Sequence, residues 1–230
     1  MASFSGILGA SKKMRQLKFL LLLFHLNSFG QTMDENIFWK LVTNNSHLSL
    51  ENHNENIIKE LSNFSQQDIL KFELIMRDRL IEIYNWNVLA TFELLHPSPI
   101  FLEEGKPWEK QIDYFSNDGF LYYRCWCLSQ GKEFCATLVN NPNEILKNNI
   151  NFKDNWFESL IYVSRASLKL KKINEDLIDT LPNETHYDTG NFEMTGKKWK
   201  VNDIEKIYPA LASYFNYKRP TSEMGKYLPK

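Results

Sequence analysis

The chain has 230 residues, of which 43% are hydrophobic and 24% charged, with 27 basic and 28 acidic side chains. This near balance of charge, with no basic stripe, excludes the electrostatic surface that DNA or RNA binding requires. The hydrophobic content is sufficient for a packed core and argues against a disordered chain, while the length suits one domain.

The first 30 residues have the three-part layout of a secretory signal peptide. Basic residues precede an apolar run over residues 19–26, and the small residues Ser28 and Gly30 follow it. The basic residues are Lys12, Lys13, Arg15 and Lys18. The run is shorter than the roughly 20 apolar residues that cross a bilayer, so no stable membrane span is expected.

Cleavage near Gly30 would export the protein to the periplasm or the medium. It would remove four basic residues and no acids, so the formal charge would fall from −1 to −5. The alternative is a start at Met33, which predicts a cytoplasmic protein without this segment.

From Asp34 onward the apolar residues recur with helical spacing. Asp34, Ser49 and Ser65 are suitable N-caps for three helices, and Asp68 follows Ser65 at the spacing of a capping box. The third helix is expected to reach about Tyr84. A fourth is predicted over residues 85–95, before a proline-containing stretch that cannot continue it.

The second half of the chain predicts shorter helices. One is expected from Gly119 to Gln130, with Gly131 as a left-handed C-terminal residue, and another over residues 132–139. Asp154 is a candidate cap for an amphipathic helix, and a final helix near the C-terminus contains Pro209 as a kink or break. The residues expected on the apolar side of the Asp154-capped helix are Trp156, Leu160, Val163, Ser167 and Leu170.

These patterns predict an all-α fold, a single compact domain of about seven short helices. The domain is expected over residues 31–216, between the signal-peptide-like segment 1–30 and a loose C-terminal tail, 217–230.

The three cysteines are predicted to be buried small side chains. Cys125 and Cys127 project about 200° apart on a helix, so one helix face cannot offer both to a metal. No histidine lies near them, and the five histidines form no metal motif. One Cys127–Cys135 disulfide across Gly131 is an alternative in an exported protein. No metal site, cofactor or catalytic residue is predicted.

Charged residues fall on apolar helix faces in the centre of the chain. Glu73 and Arg77 have i,i+4 spacing inside the apolar sector of one helix, and Arg124 lies on the apolar face of another. Because buried charges require partners, these residues are predicted to converge, with Asp118, in an ion-pair network that fixes helix packing. The alternative is a polar pocket for an anionic or peptide-terminal ligand.

Five aromatic residues form a second candidate group: Trp39, Tyr84, Trp86, Tyr123 and Trp126. Aromatic residues at helical spacing usually belong to a core. The alternative is a face that binds a ligand.

The ordered motifs resemble the bacterial domain of unknown function DUF4240. The resemblance rests on "IFWKLV" at 37–42, "IYNWNVLATFELL" at 83–95, "SNDGFLYYRCWCLSQGKEF" at 116–134, "NNPNEI" at 140–145 and "GKKWKVNDIEKIYPAL" at 196–211. The stretch at 96–115 resembles an insertion relative to the family pattern. The resemblance implies a fold and no known activity, so it assigns no catalytic residue.

The expected function is a non-enzymatic binding or protein-interaction module, with an unknown protein or a small polar ligand as partner. One alternative is a small hydrolase or ligand-sensing enzyme with a polar pocket near Arg124. Another is an immunity-like protein that binds a toxin.

Overall fold

A computed structural model describes residues 32–97 except 45 and 47, 117–182 except 148–149, residue 187, and residues 192–200 and 203–218. The described residues form a compact helical fold, which confirms the predicted all-α class. The α-helices are α1 (Glu35–Thr43), α2 (Leu50–Leu61), α3 (Gln66–Glu82), α4 (Trp86–Leu95), α5 (Asn117–Ser129), α6 (Lys132–Asn140), α7 (Val163–Leu170), α8 (Ile204–Ile207) and α9 (Pro209–Tyr214). Short 3₁₀ helices cover Pro142–Lys147, Glu158–Tyr162 and Glu175–Thr180.

Helix α5 is the central element of the fold. It packs against α1, α3, α4 and α6 and against the 3₁₀ helix Glu158–Tyr162. Its residues from Tyr123 to Ser129 are all buried. A helix that is buried around its circumference must satisfy every polar side chain it carries, which makes Arg124 the decisive residue of α5.

The predicted N-caps of the first three helices are confirmed. Asp34 Oδ1 accepts a hydrogen bond from the Ile37 N–H at 2.8 Å, and Ser49 caps α2. Ser65 Oγ accepts from the Asp68 N–H at 3.1 Å. The Asp68 carboxylate accepts in turn from the Ser65 hydroxyl at 2.6 Å and, across 35 residues of sequence, from the Met33 N–H at 2.8 Å. The cap of α3 therefore also fastens the chain that leads into α1.

The long helix predicted after Asp154 is wrong in its first half. Glu158–Tyr162 is a 3₁₀ helix and α7 begins only at Val163. The Phe157 N–H donates to Tyr122 O of α5 at 3.1 Å, which draws this backbone onto α5 and away from a continuous helix. Trp156 and Leu170 are 44% and 59% exposed, in contrast to their predicted place on an apolar side.

The segment 192–200 runs across the start of α4. Thr195 and Asn85 form an isolated parallel β-bridge, and the Trp199 indole N–H donates to Trp86 O at 2.6 Å. Gly196 has a φ of +85°. The predicted break at Pro209 is confirmed, because α8 ends at Ile207 and Pro209 takes the first position of α9.

Several predictions fall outside the described residues. The signal-peptide-like segment and the proposed cut near Gly30 do so, as do residues 98–116 and all but two residues of the predicted tail. Tyr217, the first residue of that tail, is 8% exposed and belongs to the core. Among the helices of the described ranges, none combines the length and apolar character needed to cross a membrane.

Replacing Gly196 with alanine is expected to lower the free energy of unfolding by about 1–3 kcal/mol, because an L-residue is strained at this φ. The added Cβ would also lie 2.9 Å from Asn85 Nδ2. Urea unfolding measures the change. Lys197→Ala, at the next and exposed position, is the control and should leave stability within about 0.5 kcal/mol of the original protein. Equal stability of the two variants would contradict the role given to Gly196.

Candidate functional site

Helix α3 contains a buried ion pair at the predicted polar cluster. Arg77 Nε donates to Glu73 Oε1 at 2.9 Å, and the two side chains are 4% and 2% exposed. Arg77 Nη2 also reaches Ile178 O at 3.4 Å. The pair thus links one turn of α3 to the 3₁₀ helix Glu175–Thr180, which lies a hundred residues later in the sequence.

Arg124 joins α5 to the C-terminal end of α3. Its Nη1 donates to Leu80 O at 2.7 Å. Because α3 ends at Glu82, this carbonyl has no N–H partner within the helix, and a cation at this end is favoured by the helix dipole. The guanidinium carbon lies 4.9 Å from the ring centroid of Tyr84 and 5.1 Å from that of Phe120, so two aromatic rings flank the charge.

The four predicted polar residues do not share one environment. Glu73, Arg77 and Arg124 are buried and belong to the contact between α3 and its neighbours. Asp118 is exposed in the first turn of α5. The role of these residues in ligand binding stays a prediction; in the structure Arg124, at 1% exposure, acts between two helices.

Tyr187 belongs beside this cluster, although no sequence pattern pointed to it. Burial raises the pKa of Tyr187, and the nearby charge of Glu73 raises it further. The sequence around Tyr187 has no helical periodicity, so no sequence signal ties this tyrosine to helix α3.

The five aromatic residues are dispersed over different contacts. Tyr123 and Trp126 are buried and stacked, with ring centroids 5.5 Å apart. Tyr84 flanks Arg124, and Trp86 meets Trp199 edge-on at 5.8 Å. Trp39, in α1, is half-buried and meets Phe38 edge-on at 5.2 Å.

All three cysteines are buried free thiols, as predicted. Burial raises the pKa of Cys125 to about 12, and it also raises the pKa of Cys127 and of Cys135. Cys135 Sγ donates to Cys127 O at 3.2 Å, so the alternative of a disulfide between them is not realised. Within the described ranges, no group of three or more His, Cys, Asp or Glu side chains is placed to hold a metal ion.

A surface cleft opens beside Trp39, with a volume of about 110 Å³. One complete face of α6 lines it, together with the end of α3, the end of α5 and the Trp39 ring. The lining residues are Trp39, Arg79, Glu82, Ile83, Leu128, Lys132, Cys135, Ala136, Val139 and Asn140. We refer to this site as the α6 cleft. Its floor is apolar, and charged side chains stand at its rim.

The charges at the rim of the α6 cleft are paired through Glu35. Glu35 Oε1 accepts from Lys132 Nζ at 3.0 Å and from the Trp39 indole N–H at 3.1 Å, and it lies 3.7 Å from Arg79 Nη1. The hydrogen bond from Lys132, followed by that from Trp39, lowers the pKa of Glu35. Arg79 Nη1 also lies 2.6 Å from Glu82 Oε2. This network holds the Trp39 ring in one position.

Sequence reasoning identified only Trp39 among the residues of the α6 cleft. A signal was present: Cys135, Ala136 and Val139 widen the apolar face of α6 beyond what the core covers, since Ala136 is exposed. The position of Arg79 had no comparable signal, because a charged residue on the polar side of α3 looks the same whether or not a cleft lies next to it.

A family model described as "Protein of unknown function (DUF4240)" matches residues 33–98 and 106–168. Of the predicted insertion 96–115, only residues 99–105 lie outside the match, so the insertion is shorter than expected, and the tail motif at 196–211 also lies outside the match. No curated protein and no solved structure matches the chain significantly.

Replacing Arg124 with alanine is expected to lower the free energy of unfolding by about 3–5 kcal/mol, because it removes a buried hydrogen bond and leaves a void between two rings. Arg124→Lys keeps the charge but loses the planar group, so a smaller loss of about 1–2 kcal/mol is expected. Guanidinium unfolding measures both.

Arg165→Ala is the matched control. Arg165 is 35% exposed and paired with Asp179, and its loss should cost below about 1 kcal/mol. An Arg124→Ala protein as stable as this control would remove the structural role given to Arg124.

The three thiols are expected to react slowly with a disulfide reagent at pH 8. The rate in the native protein should be at least about tenfold lower than in urea, because the thiolate is the reactive form and burial disfavours it. The amount of reagent thiol released over time measures the reaction rate in each condition. Fast labelling of one native cysteine, located by mass spectrometry, would mean that the packing around it opens.

Proposed function

We propose that this chain, which belongs to the DUF4240 family of proteins of unknown function, is a non-enzymatic protein-interaction module. The α6 cleft is its docking surface. A partner protein inserts a side chain against the apolar floor and contacts the charged rim around it.

The observation that carries this proposal is the composition of the α6 cleft. The apolar residues Ile83, Leu128 and Val139 line the cleft beside the exposed Ala136, and of these three only Val139 is more than 3% exposed. Protein interfaces place such apolar patches at their centre and surround them with polar residues, as Arg79 and Lys132 do here. A groove between helices with an apolar floor is also a recurrent binding mode for peptide segments.

The enzymatic alternative has less support from the geometry. A polar pocket near Arg124 would need a guanidinium that a substrate can reach, whereas Arg124 is 1% exposed and bonded to a main-chain carbonyl. The buried thiols have raised pKa values, which disfavours the nucleophilic thiolate. Glu73 is already paired with Arg77. For the immunity-like alternative, no specific contact favours a toxin over another partner.

Filling the α6 cleft is expected to abolish binding without unfolding the protein. Ala136 is an exposed lining residue of α6, so Ala136→Trp places a large ring in the cleft while leaving the core intact. Peptides selected from a phage-displayed library on the original protein should bind Ala136→Trp at least about tenfold more weakly, a difference of about 1.4 kcal/mol.

Glu133→Trp is the control for this test. It adds the same side chain to the same helix at an exposed position that does not line the cleft, and it should retain full affinity. A library that yields no binders, or binders that do not distinguish the two variants, would refute the docking surface.

A further inference from the structure

We infer that the α6 cleft recognises an uncharged peptide segment, inserting one aliphatic side chain and pairing a neighbouring main-chain carbonyl with Arg79. This inference rests on the proposed function and specifies the chemistry of the partner. It follows from the size of the cleft, the balance of its charges and the hydrogen-bond donors left over at its rim.

The volume of the α6 cleft selects a single side chain. Pockets for drug-sized ligands and cofactors typically occupy about 300–1,000 Å³, whereas this cleft has about 110 Å³. A leucine or isoleucine side chain is of the appropriate size, and a nucleotide or a flavin is far too large. The lining is mainly apolar: half-buried Trp39 and Val139 and exposed Ala136 lie beside the nearly buried Ile83, Leu128 and Cys135, so an inserted side chain meets few polar partners.

The rim of the α6 cleft is electrostatically balanced. Two acids, Glu35 and Glu82, face two bases, Arg79 and Lys132, and every base lies within 4.0 Å of an acid. A charged ligand group would attract one member of a pair and repel the other, so little net attraction results. A neutral peptide leaves the pairs intact and avoids the desolvation of an additional charge.

Arg79 still has donors to offer a neutral acceptor. Both of its ion pairs use Nη1, at 2.6 Å from Glu82 and 3.7 Å from Glu35. Among the described residues, no bond from Nη2 is formed, and the Nε–H has no acceptor either; because Nε is buried, Nη2 is the donor that a ligand can reach. Arg79 is 28% exposed, so a ligand can reach part of the guanidinium. A peptide carbonyl is a neutral acceptor that every peptide segment carries beside each side chain.

The experiment uses N-acetyl-leucine N-methylamide, which combines one aliphatic side chain with peptide carbonyls and no charge. Titration into the ¹⁵N-labelled full chain is followed through the Trp39 indole N–H, assigned by its absence in Trp39→Phe. Saturable binding in the millimolar range is expected for the original protein. N-acetyl-glycine N-methylamide, which has the carbonyls without the side chain, should bind at least about tenfold more weakly.

Three variants and one salt series divide the inference into testable parts. Arg79→Lys keeps the charge but removes the guanidinium donors, and it should weaken binding by about tenfold, the scale of one hydrogen bond to a charged group. Ala136→Trp should abolish the titration, and Glu133→Trp should leave it unchanged. Raising the salt concentration from 0.05 to 0.5 M should change affinity by less than about twofold, because paired rim charges exert little net field.

Failure of the inference can be told apart from failure of the proposed function. Unchanged binding in Arg79→Lys would overturn the role of the carbonyl. Tighter binding of N-acetyl-leucine, whose carboxylate is free, or a strong loss of affinity with salt would overturn the preference for an uncharged segment. If the capped leucine does not bind while library peptides still distinguish Ala136→Trp from Glu133→Trp, this inference is wrong and the docking surface stands.

Discussion

The hydrogen bond between Arg124 and the end of helix α3 is the constraint on which this fold depends. Arg124 is 1% exposed in a largely buried helix, and a guanidinium there has to find its partners inside the protein. The Leu80 carbonyl and the rings of Tyr84 and Phe120 supply them. In the same contact, α3 receives a donor for a carbonyl that its own backbone cannot satisfy. Helix α3 therefore supplies an acceptor for the buried guanidinium of α5, and α5 supplies a donor for the last turn of α3.

This contact also shapes the surface where we place the function. Leu128 is one turn after Arg124 on α5, and Arg79, Glu82 and Ile83 flank Leu80 on α3, so the residues that Arg124 joins continue directly into the wall of the α6 cleft. The cleft lies where α6 packs against α5, beside the C-terminal end of α3.

The sequence predictions were accurate where the interacting residues lie close together in the sequence, and they failed where the residues lie far apart. Asp34, Ser49 and Ser65 were identified as caps because a cap bonds to a residue three positions away, well within a sequence motif. The ion pair of Glu73 and Arg77 was accessible for the same reason. The helix expected after Asp154 was shortened by the bond from Phe157 to Tyr122, which spans 35 residues and leaves no local pattern.

The sequence by itself determined the helical class, the caps, the break at Pro209 and the presence of charges on apolar faces, because these depend on residues within one or two turns of each other. Only the tertiary structure decided that Arg124 donates to a carbonyl of α3, that Trp39 lines a surface cleft, and that Arg79 borders the same cleft. The energy of each of these contacts depends on which helices meet and at what distance. Periodicity along the chain says which face of a helix is apolar, whereas packing decides what that face touches and where it stays open.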